Sequence, residues 1–174
     1  QDAAAFTGLV KLDLGSGLSR VRTLKGLKEL KGITAGNVEI SGIKDILDDP
    51  AQITELQLKG ITSMEGIASF ENLERLTVRD YPDTNLKQLV PLKSLNYLSL
   101  EDTVDSDSII STDKDKIRVK DYSAISVMGG LKSLYLNSDI IKDIGFIKGL
   151  PALEDLTLED TAVISLASLS EVPA

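Results

Sequence analysis

The sequence predicts a single repeat solenoid, with a parallel β-sheet along its concave face and 3₁₀ turns along its convex face. Three observations lead to this fold class. A short apolar triplet recurs along the 174 residues, apolar residues occupy every third position between the triplets, and the triplets lie about 21 residues apart. Because one coil of that length cannot bury its own apolar stripe, the coils must stack and share a continuous core.

The recurring triplet has the form Leu-x-x-Leu-x-Leu, and eight copies fit the chain. Six are strong and two are weak: Leu9-Leu12-Leu14, Ile53-Leu56-Leu58, Leu73-Leu76-Val78, Leu95-Leu98-Leu100, Leu131-Leu134-Leu136 and Leu153-Leu156-Leu158, with weak copies at Val38-Ile40 and Ile117-Val119. The closing Leu-x-Leu alternates as a strand does, with its apolar side chains inward. This pattern predicts a right-handed leucine-rich-repeat horseshoe.

Apolar residues between the triplets follow a period of three. Ile61, Met64, Ile67 and Phe70 precede one triplet, and Ile141, Ile144, Ile147 and Leu150 precede another. A period of three fits neither an α-helix nor a strand, but 3₁₀ turns place residues i and i+3 on one face. The convex side is therefore expected to be rich in 3₁₀ turns. An amphipathic helical bundle is the alternative, which the joint recurrence of triplet and period disfavours.

Composition narrows the range of functions. The chain has 19 basic and 27 acidic residues, a net charge of −8, and neither His nor Cys. That charge repels phosphate backbones and favours basic partners, so neither nucleic-acid binding nor association with anionic membranes is expected. Without His or Cys the commonest general base, zinc ligand and disulfide are missing. Carboxylate pairs such as Glu101 and Asp102 remain for a glycosidase-like enzyme, but an exposed sheet gives them no dry pocket. We expect no enzyme, no cofactor and no membrane insertion.

Residues 1–174 are expected to form one domain of about eight repeats, cut from a longer protein. One irregular insertion falls at 101–116, which contains six carboxylates and little apolar periodicity. Within it, Asp105 and Asp107 could begin a calcium site. The full EF-hand loop also needs a Gly at its turn and a Glu at its end, and neither stands at the required offset. A solvated loop is therefore the favoured interpretation, and no metal site is expected.

The residues of one repeat also carry a family resemblance. The stretch 131–153 reads Leu-Lys-Ser-Leu-Tyr-Leu-Asn-Ser-Asp-Ile-Ile-Lys-Asp-Ile-Gly-Phe-Ile-Lys-Gly-Leu-Pro-Ala-Leu. It resembles the repeat of internalin-like leucine-rich surface proteins of Gram-positive bacteria, above all in its Ile-x-Asp-Ile turn. The resemblance implies a secreted or wall-attached module that recognises a host or cell-surface protein through its concave face. The chain departs from the family pattern where an Asn usually follows the strand, with Ile61, Tyr81, Thr103, Asp139 and Thr161 at those positions.

Candidate binding residues are the outward-facing side chains of the predicted strands. Tyr and Arg dominate protein–protein hot spots because each buries a large area and keeps a directed polar group. The predicted ligand-binding set on the concave face is Arg75, Arg79, Tyr97, Glu101, Arg118 and Tyr135. These residues predict adhesion or recognition of a protein ligand. Three alternatives stay open: that the residues only keep the sheet face solvated, that the solenoid is a spacer or stalk in a larger surface protein, and that it is an intracellular scaffold.

Overall fold

The structure is a computed structural model that describes residues 7–16, 21–61, 63–80, 86–101 and 121–171. Its described strands are β1 (Lys11–Asp13), β2 (Gly32–Gly36), β3 (Glu55–Lys59), β4 (Arg75–Arg79), β5 (Tyr97–Glu101), β6 (Ser133–Asn137) and β7 (Asp155–Glu159). One short α-helix, α1, spans Ile40–Asp45. The 3₁₀ segments are Pro50–Gln52, Ile67–Ser69, Lys87–Leu89, Ser123–Val127, Gly145–Gly149 and Ala167–Glu171.

The described strands form one sheet in which each strand pairs with the next along the chain, in the order β1 to β7. Every pairing is parallel, and the middle apolar residues align along the stack: Leu12, Ile33, Leu56, Leu76, Leu98, Leu134 and Leu156. Because consecutive strands are parallel neighbours, the chain must return after each strand to the end of the sheet where that strand began. Every coil therefore turns in the same sense. The predicted repeat solenoid with a parallel sheet is confirmed.

Backbone turns on the other side of the core follow the apolar period. The N–H of Ile67 donates to the carbonyl of Met64, that of Phe70 to Ile67 and that of Leu73 to Phe70, at 3.1, 3.1 and 2.9 Å. All of these side chains are buried. The same residue therefore closes a three-residue turn through its N–H and fills the core through its side chain, which is the arrangement that 3₁₀ geometry favours. The prediction of 3₁₀ turns is confirmed.

The second coil differs from the prediction. The strand there is β2, whose inward residues are Ile33 and Ala35, so the weak triplet copy assigned to Val38 and Ile40 is wrong. Ile40 instead begins α1, where Ile40 and Ile43 are buried at helical spacing. The correct triplet is Leu30-Ile33-Ala35. The sequence pattern did not reveal it because Ala35 is smaller than the Leu or Val found at this position in the other described strands.

The spacing of the repeats changes between β5 and β6. Strand starts are separated by 21, 23, 20, 22, 36 and 22 residues along the chain, taken from Lys11, Gly32, Glu55, Arg75, Tyr97, Ser133 and Asp155. The step of 36 contains the predicted insertion at 101–116 and the weak copy at Ile117-Val119, which lies outside the described residues. The strands on either side of this step, β5 and β6, pair directly with each other. The count of about eight repeats stays a prediction.

The chain leaves several strands through a left-handed residue. Asn37, Gly60, Asp80 and Asp160 each follow the last residue of a strand, with φ of 53°, 60°, 53° and 47°. Asn, Asp and Gly tolerate this conformation best, which explains their recurrence there. The turn keeps the ladder intact, since the N–H of Asn37 donates to Lys59 and that of Gly60 to Arg79, each at 2.8 Å.

Short polar side chains fix where the convex turns begin. A side-chain oxygen accepts a hydrogen bond from the N–H two residues later at Thr23, Ser63, Asp121, Asp143 and Ser165. These are local turns of the Asx and Ser/Thr type. The Asp of the predicted Ile-x-Asp-Ile turn, Asp143, is one of them.

Gly149 offers a direct test of coil packing. A Cβ added at Gly149 would collide with the backbone carbonyl oxygen of Ser126 in the preceding coil, whereas one added at Gly129 meets only Pro151 Cδ, at 4.0 Å. We expect Gly149→Ala to lower the free energy of unfolding by about 1–3 kcal/mol through overpacking. Urea unfolding followed by circular dichroism measures the change. Gly129→Ala is the matched control, and equal midpoints for the two variants would contradict the close packing of these coils.

Candidate functional site

The concave face is built from the alternate strand residues that point away from the core. In-register pairing places them in three rows along the solenoid. The first row is Lys11, Gly32, Glu55, Arg75, Tyr97, Ser133 and Asp155; the middle row is Asp13, Thr34, Gln57, Thr77, Ser99, Tyr135 and Thr157; the third row is Gly36, Lys59, Arg79, Glu101, Asn137 and Glu159. Rows of this kind bring side chains about 20 residues apart in sequence into contact.

Arg75 and Tyr97 form one contact in the first row. They are register partners on β4 and β5, and the guanidinium carbon of Arg75 lies 3.9 Å from the centre of the Tyr97 ring. A cation over an aromatic face at this distance is attracted by the ring quadrupole, with a free energy of about 0.5–1 kcal/mol at an exposed site. The contact holds two large, amphipathic side chains in a defined position on the surface.

Arg79 and Glu101 form a second contact, in the third row of the same strands. Arg79 Nε lies 2.7 Å from Glu101 Oε2, and Ser99 Oγ donates to Glu101 Oε1 at 3.3 Å. Together with the Arg75–Tyr97 pair, these residues surround a shallow depression of about 230 Å³. Ser99 forms part of its lining and is buried, which leaves the larger side chains to define the rim.

Tyr135 lies one strand further along, in the middle row. Its phenol hydroxyl donates to a carboxylate oxygen of Glu159 on β7. This bond holds the proton on the phenol and, with partial burial, raises the pKa of Tyr135 above its ordinary value of 10.0. Tyr135 is therefore a neutral hydrogen-bonding residue over the physiological pH range.

The structure brings together most of the predicted set. Arg75, Arg79, Tyr97 and Glu101 lie on two adjacent strands and contact one another in pairs, and Tyr135 lies on the next strand, beside Ser99. Arg118 lies outside the described residues. Asp105 and Asp107 also lie outside the described residues. The role of the set in binding a ligand stays a prediction.

The concave face also contains an ion pair that the sequence did not predict, between Lys11 and Glu55. Lys11 Nζ lies 2.5 Å from Glu55 Oε2, reaching from β1 to β3 across the intervening β2. Gly32 makes this possible, since a Cβ at that position would lie 3.1 Å from Lys11 Cγ. Gln57 Nε2 also donates to Glu55 Oε1, at 2.9 Å. The hydrogen bond from Lys11, followed by that from Gln57, lowers the pKa of Glu55. A Gly in a strand position is the signal that could have indicated such a close approach.

Clusters of metal ligands and membrane-spanning helices are absent from the described parts of the chain. No group of three or more His, Cys, Asp or Glu residues that could hold a metal ion occurs within them. No helix in those same segments is long and apolar enough to cross a membrane.

Comparisons with known proteins agree with the architecture. A structure of internalin C2 from Listeria monocytogenes matches with a TM-score of 0.52 and 21% sequence identity, over 95% of this chain and 74% of that one. Another internalin of that bacterium matches with a TM-score of 0.46 and 19% identity, over 98% of this chain and 60% of that one. A leucine-rich-repeat protein of Leptospira interrogans matches with a TM-score of 0.42, 16% identity and the same coverage. No protein-family model and no curated protein matches the sequence.

The strand stack, the three-residue turns and the first of these matches define the class of the protein. The chain is a leucine-rich-repeat solenoid with an internalin-like fold. At this level of identity the likeness concerns the fold alone.

The Lys11–Glu55 pair predicts a measurable pH effect. In Lys11→Met we expect the pKa of Glu55 to rise towards its ordinary value of 4.5, because the largest cause of its lowering is lost. For a lowered carboxyl pKa, the stabilisation is present above the unfolded-state pKa and is lost as the pH falls through the folded-state pKa. The variant should therefore be less stable at pH 7, by up to about 1 kcal/mol, and as stable as the parent below the folded-state pKa.

NMR titration of the Glu55 carboxyl, with urea unfolding at pH 7 and at pH 2, measures both effects. Lys132→Met is the control. Lys132 Nζ pairs with Glu154 Oε1 at 3.3 Å, next to β6 and β7 and therefore far from Glu55 along the sheet. An unchanged Glu55 titration in Lys11→Met would show that the bridge across Gly32 does not form in solution.

Proposed function

We propose that this solenoid is an extracellular, cell-surface module that binds a protein ligand through its concave face. The observation that carries the proposal is the pairing of Arg75 with Tyr97 and of Arg79 with Glu101 on adjacent strands. These contacts hold large, polar-tipped side chains in fixed positions around one depression. A surface whose side chains are already ordered loses less conformational entropy when a partner binds.

The types of residue on this surface support recognition of a protein. Arg and Tyr are enriched at interface hot spots, and here Arg75, Arg79, Tyr97 and Tyr135 lie on three consecutive strands. A face that served only to keep the sheet soluble would not need aromatic rings, because charged and hydroxyl residues are sufficient for that purpose. An extended concave surface is also the part of a solenoid that can contact a folded partner over a large area.

The cellular location rests on the resemblance of the repeat to internalin-like surface proteins and on the internalin-like fold. Adhesion to a host or cell-surface protein follows from the same resemblance. A spacer or stalk is the alternative, and it makes the opposite prediction for variants of the concave face.

We expect the fluorescently labelled parent to bind intact mammalian cells, or a component of an extracellular-matrix protein array. The variant Arg75→Ala/Tyr97→Ala/Tyr135→Ala should bind at least about thirtyfold more weakly, because truncation of even one hot-spot residue costs about 2 kcal/mol or more. Flow cytometry and array fluorescence measure the binding. Circular dichroism checks that the variant is folded.

A convex variant, Lys93→Ala/Val127→Ala/Lys142→Ala, is the matched control, since all three residues are exposed on turns outside the sheet. It should bind as the parent does. Equal binding by the concave variant and the parent would contradict recognition through this face. Absence of binding by the parent to either panel would favour the spacer.

A further inference from the structure

The concave face has a notch at β2, where the strand carries Gly at both ends of its outward side. Gly32 occupies the first row and Gly36 the third, so neither row has a side chain there. At the Gly32 end, Lys11 lies across the gap and reaches Glu55. At the Gly36 end no side chain of the described residues crosses the gap, which has a volume of about 450 Å³. This is the size range of sites that hold a small ligand or a few side chains of a partner.

The two sides of the notch differ in charge. Lys59 and Arg79, register partners on β3 and β4, lie on one side, and Asp13 of β1 lies on the other. Thr34 and Gly36 lie between them on β2. The floor of the notch is therefore formed by backbone and a small side chain, which leaves room for a ligand. The notch has a cationic side although the net charge of the chain is −8.

The two cations on that side are available for a ligand. Among the described residues, no carboxylate pairs with the Lys59 ammonium. Arg79 contacts Glu101 through Nε, at 2.7 Å, and a guanidinium has five N–H donors, so it can serve a second carboxylate as well. Arg and Lys side by side are suited to a carboxylate, which accepts charge-assisted hydrogen bonds from both. The nearest acidic side chain in the first row, Glu55, is already occupied by Lys11.

We propose that this notch, defined by Gly36, Lys59, Arg79 and Asp13, receives an acidic side chain from an extended segment of the protein partner. The carboxylate lies between Lys59 and Arg79. Asp13, which accepts the N–H of Gly15 at 2.8 Å, repels a second carboxylate and accepts N–H groups of the segment instead. The notch thus selects one Asp or Glu flanked by neutral residues. This inference rests on the proposed function and specifies the chemistry of its partner.

The test uses a defined probe, acetyl-Gly-Ser-Glu-Ser-Gly-amide, and its Gln counterpart. Two-dimensional ¹H–¹⁵N NMR of the full chain follows their binding at millimolar concentration. We expect saturable shifts at Gly36, Lys59 and Arg79 with the Glu peptide and about tenfold weaker binding of the Gln peptide, because only a carboxylate forms charge-assisted bonds. Raising the salt concentration should weaken the binding of the Glu peptide.

Two variants separate the charge of the notch from its shape. Lys59→Gln/Arg79→Gln should weaken the Glu peptide about tenfold, while the convex, charge-matched Lys93→Gln/Lys142→Gln should not. Gly36→Thr should weaken it as well by filling the gap. A Cβ at Gly36 lies no closer than 3.5 Å to Gly15 O, so this variant should fold, as its spectrum will show. The double Gln variant keeps the test valid if Gly36→Thr does not fold.

Several outcomes would overturn the inference. These are no saturable shift, equal binding of the Glu and Gln peptides, unchanged binding in the double Gln variant, or equally strong shifts with sodium sulfate at matched ionic strength. If the peptide fails while the Arg75/Tyr97/Tyr135 variant still loses cell-surface binding, the proposed function stands and the acidic segment is wrong. If the peptide binds the notch but the parent binds neither cells nor the matrix array, the notch stands and the proposed function fails.

Discussion

Each strand of the sheet hydrogen-bonds to the next one at the same position of the coil, and this in-register parallel pairing constrains everything else in the molecule. It places Leu56, Leu76, Leu98 and their counterparts in one inward line, so that every coil completes the core of its neighbour. The convex turns must then return the chain by one strand spacing, about 5 Å. Three-residue turns achieve this because one residue supplies both the N–H that closes the turn and the side chain that fills the core.

The same register decides the chemistry of the concave face. Contacts between Arg75 and Tyr97, Arg79 and Glu101, and Tyr135 and Glu159 all run across strands. Many side chains of the face therefore already have partners and positions, and a ligand must fit among them. Exposed ion pairs of this kind contribute little to stability, so their consequence is mainly the shape and charge of the surface.

Small residues are as important to that surface as large ones. Gly32 lets Lys11 cross to Glu55, and Gly36 leaves a gap beside Lys59 and Arg79. A chain with a net charge of −8 thereby presents a cationic patch on β3 and β4 of its concave face, whereas Asp155 and Glu159 make the last strand acidic. Net charge alone favours basic partners, but the local arrangement at the notch favours an acidic group, because electrostatic attraction at contact depends on the nearest charges.

The sequence by itself determined the solenoid, the inward residues of most strands and the three-residue turns, because each follows from a periodicity confined to one coil. It placed Arg75, Arg79, Tyr97 and Tyr135 on the exposed face for the same reason. It missed β2, where Ala35 weakens the triplet. Only the tertiary structure decided that β5 and β6 are neighbours, that Lys11 reaches a carboxylate 44 residues away, and that a notch opens at Gly36. These features depend on which strands pair and in what register, and no periodicity within a single coil contains that information.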